Sequence, residues 1–279
     1  MTWPPVVLVN GETTDCVPVQ DRGFQYGDGV FETIAVYRCD PLLWQQHLAR
    51  LKKGCERLLI GPPDAAQLRE EARALCEDIE RAVLKIIITR GISGRGYAPG
   101  SAERPTRVLA LLPWPDYPLG YAQDGVSVRV CRTRVSRNPL TAGIKHLNRL
   151  EQVLARAEWE SEFVEGLMLD EDDNIVEATA ANVFVVSEGT LLTPELSHYG
   201  VEGVMRGAVL EQARCLTLPH RVGPITRATL DKADEIFLTN SLIGIWPVTQ
   251  IQSRAFPVGP TTRRLQQAIM RTPYVGDTA

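Results

Sequence analysis

The spacing of apolar residues changes period along the chain, and this change limits the fold more than any single motif does. Over residues 45–60, Leu48, Leu51, Cys55, Leu58 and Leu59 recur at helical intervals. Gly61-Pro62-Pro63 ends that run, and Asp64 is placed to cap a second helix over residues 65–81. The period then shortens. Residues 83–90 and 107–112 read as strands flanking GISGRGYAPGSAER, a stretch too rich in glycine for a helix. Upstream, residues 6–9 and 16–20 read as strands around the turn dipeptide Asn10-Gly11, and residues 30–37 as another strand. Strands and helices mix irregularly, so two α+β lobes are expected in place of a regular βαβ winding.

The segment PWPDYPLGYAQDG, residues 113–125, concentrates proline and glycine between two strand-like runs. It divides the 279 residues into an N-terminal domain (1–115), a linker (116–125) and a larger C-terminal domain (126–279) that carries Lys145. The second domain reads as a strand at 126–135, a helix at 147–161, and strands at 166–169, 175–179, 182–187 and 191–193. A helix then begins near Val204, Thr226 caps another segment, residues 235–239 form a strand, and a terminal helix spans 261–271.

Several functions are set aside early. Thirty basic against thirty-four acidic residues leave a net charge of −4, which does not suit a nucleic-acid partner. Apolar runs such as residues 108–112 are far shorter than the ~20 residues of a membrane span. MTWPPVVLVNGE lacks the basic and apolar regions of a signal peptide, so a cytoplasmic protein is expected. Six cysteines without CxxC and four histidines without HExxH recommend no metal. No P-loop or GxSxG elbow occurs, and the glycines at 91, 94 and 96 do not match GxGxxG. Asp170, Asp172 and Asn174 open like a calcium loop, but Ile175 and Ala181 stand where glycine and glutamate are needed. A solvated hairpin tip is expected there.

Lysine is scarce, five residues against twenty-five arginines. Lys52 and Lys53 lie on a helix and Lys232 lies between acids, all readable as solvated charges. Lys85, within VLKIII, reads as an edge-strand charge. Lys145 follows the small apolar run TAGI at a loop mouth, where desolvation favours the neutral amine that a Schiff-base nucleophile needs. On spacing alone, a lysine snorkelling from a loop is the preferred reading.

Longer strings tip that balance. DRGFQYGDGVFET (21–33), HLARL (47–51), ITRGISGRGY (88–97), GIKHLNRLEQV (143–153), EATAANVFVV (177–186), GVEGVMRGAVLE (200–211) and TNSLIGIWPV (239–248) resemble, in order and over nearly the whole chain, the class-IV pyridoxal-phosphate enzymes of fold type IV. That family includes branched-chain and D-amino-acid aminotransferases and 4-amino-4-deoxychorismate lyases; GRGY and GIKHLNRLEQV resemble the lyases more. The resemblance implies a smaller N-terminal α/β lobe, a larger lobe with a mixed, barrel-like sheet, a homodimer, and pyridoxal 5'-phosphate as cofactor. It makes Lys145 the cofactor-linked, proton-moving lysine, Glu177 the carboxylate facing the pyridine nitrogen, and Arg50 a phosphate ligand. The backbone of Val204 and Met205, with Asn240 and Ser241, would complete the phosphate site. Arg95, Tyr97 and Phe31 would meet the substrate, Thr33 would donate a proton to the leaving group, and Asn182 would tie loop backbone together. The implied small-molecule substrate is 4-amino-4-deoxychorismate, on the way to folate. The alternative is an aminotransferase on the same scaffold.

Overall fold

A computed structural model describes residues 6–99 and 104–270 and divides into two compact units. The first runs to Pro115 and also takes in Ile144–Asn148. Its elements are β1 (Val6–Val9), β2 (Glu12–Thr13), α1 (Arg22–Tyr26), β3 (Gly29–Tyr37), β4 (Asp40–Pro41), α2 (Trp44–Arg57), α3 (Ala65–Cys76), β5 (Arg81–Thr89) and β6 (Thr106–Leu112). The strands form one antiparallel sheet in the order β2-β1-β6-β5-β3-β4. Alternation along β3 puts Val30, Ile34 and Val36 into a core with Leu51 and Cys55 of α2, Leu68 and Ala72 of α3, and Leu84, Ile86 and Ile88 of β5.

Two expectations fail here for stated reasons. The strand expected at residues 16–20 is absent; β1 instead pairs with Glu12–Thr13, because a two-residue turn with Asn10 at φ 53° and Gly11 at φ 91° sets Glu12 directly opposite Val9. The helix expected to reach residue 81 ends at Cys76, although Asp64 caps it as expected by accepting from the Ala66 and Gln67 amides. Sheet pairing overrides helix propensity at its end, since Tyr37 and Val36 of β3 pair with Arg81 and Ala82.

The second unit contains α4 (Gly120–Asp124), β7 (Val126–Arg134), α5 (Leu150–Arg156), β8 (Glu165–Leu169), β9 (Ile175–Ala178), β10 (Asn182–Ser187), β11 (Thr190–Thr193), α6 (Val204–Cys215), β12 (His220–Val222), α7 (Arg227–Asp231), β13 (Glu235–Asn240), β14 (Gly244–Ile251), β15 (Arg254–Ala255) and α8 (Pro260–Met270). Residue 271, the expected end of the terminal helix, lies outside the described residues. The sheet order is β12-β11-β10-β13-β14-β7-β8-β9, with β15 on β14. It is mixed: β11/β12, β14/β7 and β7/β8 run parallel. It curls back on itself where the Ala178 amide of β9 donates to Ala181 beside β10. Val126, Val128, Leu167, Val183, Val185, Leu238 and Val248 fill its core. Phe184 and Phe237 stack at 4.9 Å between ring centroids, and α6 and α8 pack on β13. Spacing alone does not predict β14, which carries Pro247.

Residues 116–125, read as a linker, belong to this unit. Tyr117 and Tyr121 set their ring edges on Trp246 at 4.9 and 5.1 Å. The helix expected from residue 147 begins only at Leu150, because residues 145–147 are extended along β3. The Phe31 amide donates to the Lys145 carbonyl at 2.9 Å, the Leu147 amide donates to Gly29 at 2.9 Å, and Val30 bridges His146. Lys145 therefore belongs to the first unit, not to the C-terminal domain that the sequence spacing assigned it.

Candidate active site

In the first unit the side chains of β3 sort onto two faces. Phe31 and Thr33 point away from the helices, half-buried, and are paired across the ladder with Ile87 and Lys85. The extended segment carrying Lys145 brings its Nζ to 4.3 Å from the centre of the Phe31 ring. An ammonium over an aromatic face is attracted by the ring quadrupole, so Phe31 helps to hold the amine there. Lys85 reaches the same ring at 5.6 Å. Its strand lies between β3 and β6, so it is a central-strand lysine and not the edge-strand charge expected.

The opposite face of β3 carries Glu32, which sequence reading missed. It accepts from Arg50 Nε at 2.8 Å and Nη2 at 2.5 Å, and its Oε2 lies 2.6 Å from His47 Nδ1. Burial alone would raise this carboxyl, but the Arg50 charge and hydrogen bonds, with His47, outweigh it and hold it near 2. Burial lowers the His47 imidazole from its ordinary value against the pull of Glu32. The signal was present in the sequence. Glu32 falls in phase with Val30, Ile34 and Val36, so a carboxylate on the core face had to find cationic or donor partners. Arg50, expected as a phosphate ligand, lies on this helix-side face, whereas Phe31 and Thr33 lie on the other.

Arg95 and Tyr97 sit on the loop after β5, and both side chains are exposed, Tyr97 at 85%. The loop backbone is nonetheless held. Arg22 donates to the Gly96 and Tyr97 carbonyls at 2.8 and 3.2 Å, while Asp28 pairs with both Arg22 and Arg90 at 2.8 and 2.7 Å. Tyr26 meets Tyr97 edge-on at 5.6 Å.

In the second unit Glu177 is buried on β9. Its Oε2 accepts from the Val201 amide at 2.8 Å and its Oε1 from Gln152 at 3.3 Å. Arg149 lies near enough to interact: burial lowers its guanidinium and Glu177 opposes that. Gly200, at φ 60°, faces this carboxylate so closely that an added Cβ would sit 2.8 Å from Oε2. Val204 and Met205 open α6, whose N-cap is Gly203 with no side chain closing the first turn. An added Cβ at Gly203 would collide with Asn182, whose amide donates to the Val201 carbonyl at 2.8 Å and so ties the loop as expected. Asn240 uses its side chain on the backbone, donating to Ala180 at 2.9 Å and accepting from the Leu242 and Ile243 amides. It shapes the turn that holds Ser241.

Within each unit, the features present suit parts of a cofactor with a phosphate, a basic ring nitrogen and a carbonyl. A twelve-residue helix starting on a bare glycine presents amides suited to a phosphate. A buried carboxylate steadied by two donors suits a protonated pyridine, and a lysine over an aromatic ring suits covalent attachment.

A family model described as "Amino-transferase class IV" matches residues 29–251. The chain is 40% identical to the aminodeoxychorismate lyase of Vibrio harveyi, over 92% of this chain and 97% of that one. It is 28% identical to the D-alanine aminotransferase of Bacillus licheniformis, over 95% and 96% respectively. Among solved structures, the 4-amino-4-deoxychorismate lyase of Pseudomonas aeruginosa matches with TM-score 0.91 and 47% identity, over 95% of this chain and 98% of that one. The branched-chain amino acid aminotransferase of Escherichia coli matches with TM-score 0.84 and 25% identity, over 98% and 96%.

Proposed function

The chain belongs to the class-IV aminotransferase family, and on that premise we propose that it is a pyridoxal-phosphate-dependent 4-amino-4-deoxychorismate lyase, releasing p-aminobenzoate and pyruvate for folate synthesis. The observation that carries this reading is the gap in identity. Near full-length likeness to two lyases stands at 40% and 47%, against 30%, 28% and 25% for three aminotransferases.

Pyridoxal phosphate, when bound, supplies an electron sink for the charge left as a proton departs the amine-bearing carbon of the substrate. Lys145 Nζ takes that proton and holds it, steadied by the Phe31 ring 4.3 Å away. Glu177, held by the Val201 amide and Gln152, would pair with the pyridine nitrogen. By the family resemblance, Arg50 would be a ligand of the phosphate, and so would the amides at the start of α6 and the turn of Asn240 and Ser241. Phe31 packs on the substrate ring, and Arg95 and Tyr97 meet its carboxylates. Thr33 Oγ1 protonates the side chain as the ring carbon–oxygen bond breaks, the ring becomes aromatic, and the enolpyruvate leaves to become pyruvate.

The proposal includes a homodimer and a cytoplasmic location. Leu150, Val153 and Leu154 expose one apolar stripe of α5, which supports association with a second copy. Among the described residues no helix is long and apolar enough to cross a membrane.

The deciding experiment supplies 4-amino-4-deoxychorismate to cofactor-loaded protein and follows p-aminobenzoate and pyruvate together. Equal appearance of both is expected, lost together with the cofactor's visible absorbance in Lys145→Ala. Conversion of the cofactor to its pyridoxamine form by D- or branched-chain amino acids, with neither product formed, would make the protein an aminotransferase.

A further inference from the structure

The reaction as derived leaves Glu32 and His47 without a task, although both are buried at 1% exposure in a face otherwise built from Val30, Ile34 and Val36. A buried ionic cluster is a costly way to hold a sheet to a helix, and apolar residues of similar volume usually serve stability as well or better. The cluster is also graded in exposure: the Glu32 and His47 side chains are 1% exposed, whereas Arg50 is 11% exposed. Charge is thus led from the interior to a guanidinium that reaches the surface of the fold.

The geometry has a direction. Arg50 meets Glu32 through its Nε–Nη2 edge, with one hydrogen bond to each carboxylate oxygen. A guanidinium gripped by two parallel bonds cannot turn about its last torsion without losing both. Glu32 is itself held, because His47 and Arg50 lie three residues apart on α2 and so converge on one carboxylate of β3. An ionised carboxylate only accepts, so the proton in the 2.6 Å contact belongs to His47 Nδ1.

Resting on the reading of Arg50 as a phosphate ligand, we infer that Glu32 and His47 are positioning residues: His47 seats Glu32, and Glu32 fixes the plane of Arg50 so that its outer edge is set for the cofactor phosphate before the cofactor arrives. Ligands are held more tightly by groups that need not be ordered on binding.

The test compares binding of pyridoxal 5'-phosphate and of pyridoxal, which lacks the phosphate, to the full-length apoprotein by absorbance titration. The ratio of the two affinities isolates the phosphate contribution, and a merely structural role would weaken both ligands alike. Arg50→Met lowers the ratio if Arg50 binds phosphate. Glu32→Gln and His47→Leu are then expected to lower it about ten- to hundredfold with pyridoxal binding little changed. His47→Asn, which offers an amide donor in place of Nδ1, should keep most of the wild-type ratio. Wild-type ratios in Glu32→Gln and His47→Leu, with a lowered ratio in Arg50→Met, overturn the inference alone. A wild-type ratio in Arg50→Met overturns the phosphate reading, and the inference with it. Should Glu32→Gln not fold, the His47→Leu and His47→Asn pair decides the matter.

Discussion

Acid should unfold the first unit partly through Glu32. Its carboxyl stands near 2 in the folded protein against an ordinary value of 4.5, because Arg50 and His47 outweigh the cost of its burial. A folded-state value below the unfolded one stabilises the protein fully above 4.5, and that stability is lost as the pH falls toward 2. The interval from 4.5 to about 2, at about 1.36 kcal/mol per pH unit, is worth about 3 kcal/mol. Between about pH 5 and about pH 3 the same linkage removes about 2 kcal/mol. The His47 imidazole, lowered by burial, acts in the same direction from 6.5 downward, since the unfolded chain takes up that proton first. Glu32→Gln removes the carboxyl's share and leaves the imidazole without its anionic partner. Urea unfolding of wild type and Glu32→Gln, followed by circular dichroism at both pH values, measures the difference. The variant is expected to start less stable at neutral pH and to lose about 2 kcal/mol less on acidification. Equal losses in the two proteins would show that Glu32 titrates normally, and the pairing with Arg50 and His47 would then be wrong as an account of its charge.

Other substitutions test the remaining parts. Gly203→Ala forces a Cβ onto Asn182 and should cost about 1–3 kcal/mol, read as a lower melting temperature together with weaker cofactor retention. Phe184→Ala empties half of a fully buried ring stack and should cost about 3–5 kcal/mol in urea unfolding. Arg22→Ala releases the Gly96 and Tyr97 carbonyls, so trypsin should cut after Arg95 faster while the far-ultraviolet circular dichroism spectrum stays unchanged. Thr33→Val should lower turnover about 10²–10⁴-fold with cofactor binding intact, and unchanged turnover would remove Thr33 from the reaction.

Several local features were legible because their residues sit in contexts that constrain them. Asp64 read as a helix cap and is one. Val204 read as the start of a helix, and α6 starts there. Asn182 read as a loop tie and donates to Val201. What could not be read is what lies far apart in sequence. Glu32 and Arg50 are paired across a strand–helix contact, and Arg22 reaches carbonyls more than seventy residues away. Phase along β3 could have flagged Glu32 as buried, but not which cation meets it.

The sequence by itself determined the periods that make strands and helices, the turn at Asn10-Gly11, and the residue types suited to a lysine-linked cofactor. These depend on neighbours within a few positions, where backbone sterics and side-chain spacing act directly. Only the tertiary structure decided that residues 145–147 are extended and not helical, that Lys145 belongs to the first unit over the Phe31 ring, and that Glu32, His47 and Arg50 form one buried cluster. The reason is that backbone amides and buried charges must be satisfied wherever the fold delivers partners. β3 offers its amide and carbonyl groups to a segment more than a hundred residues further along the chain.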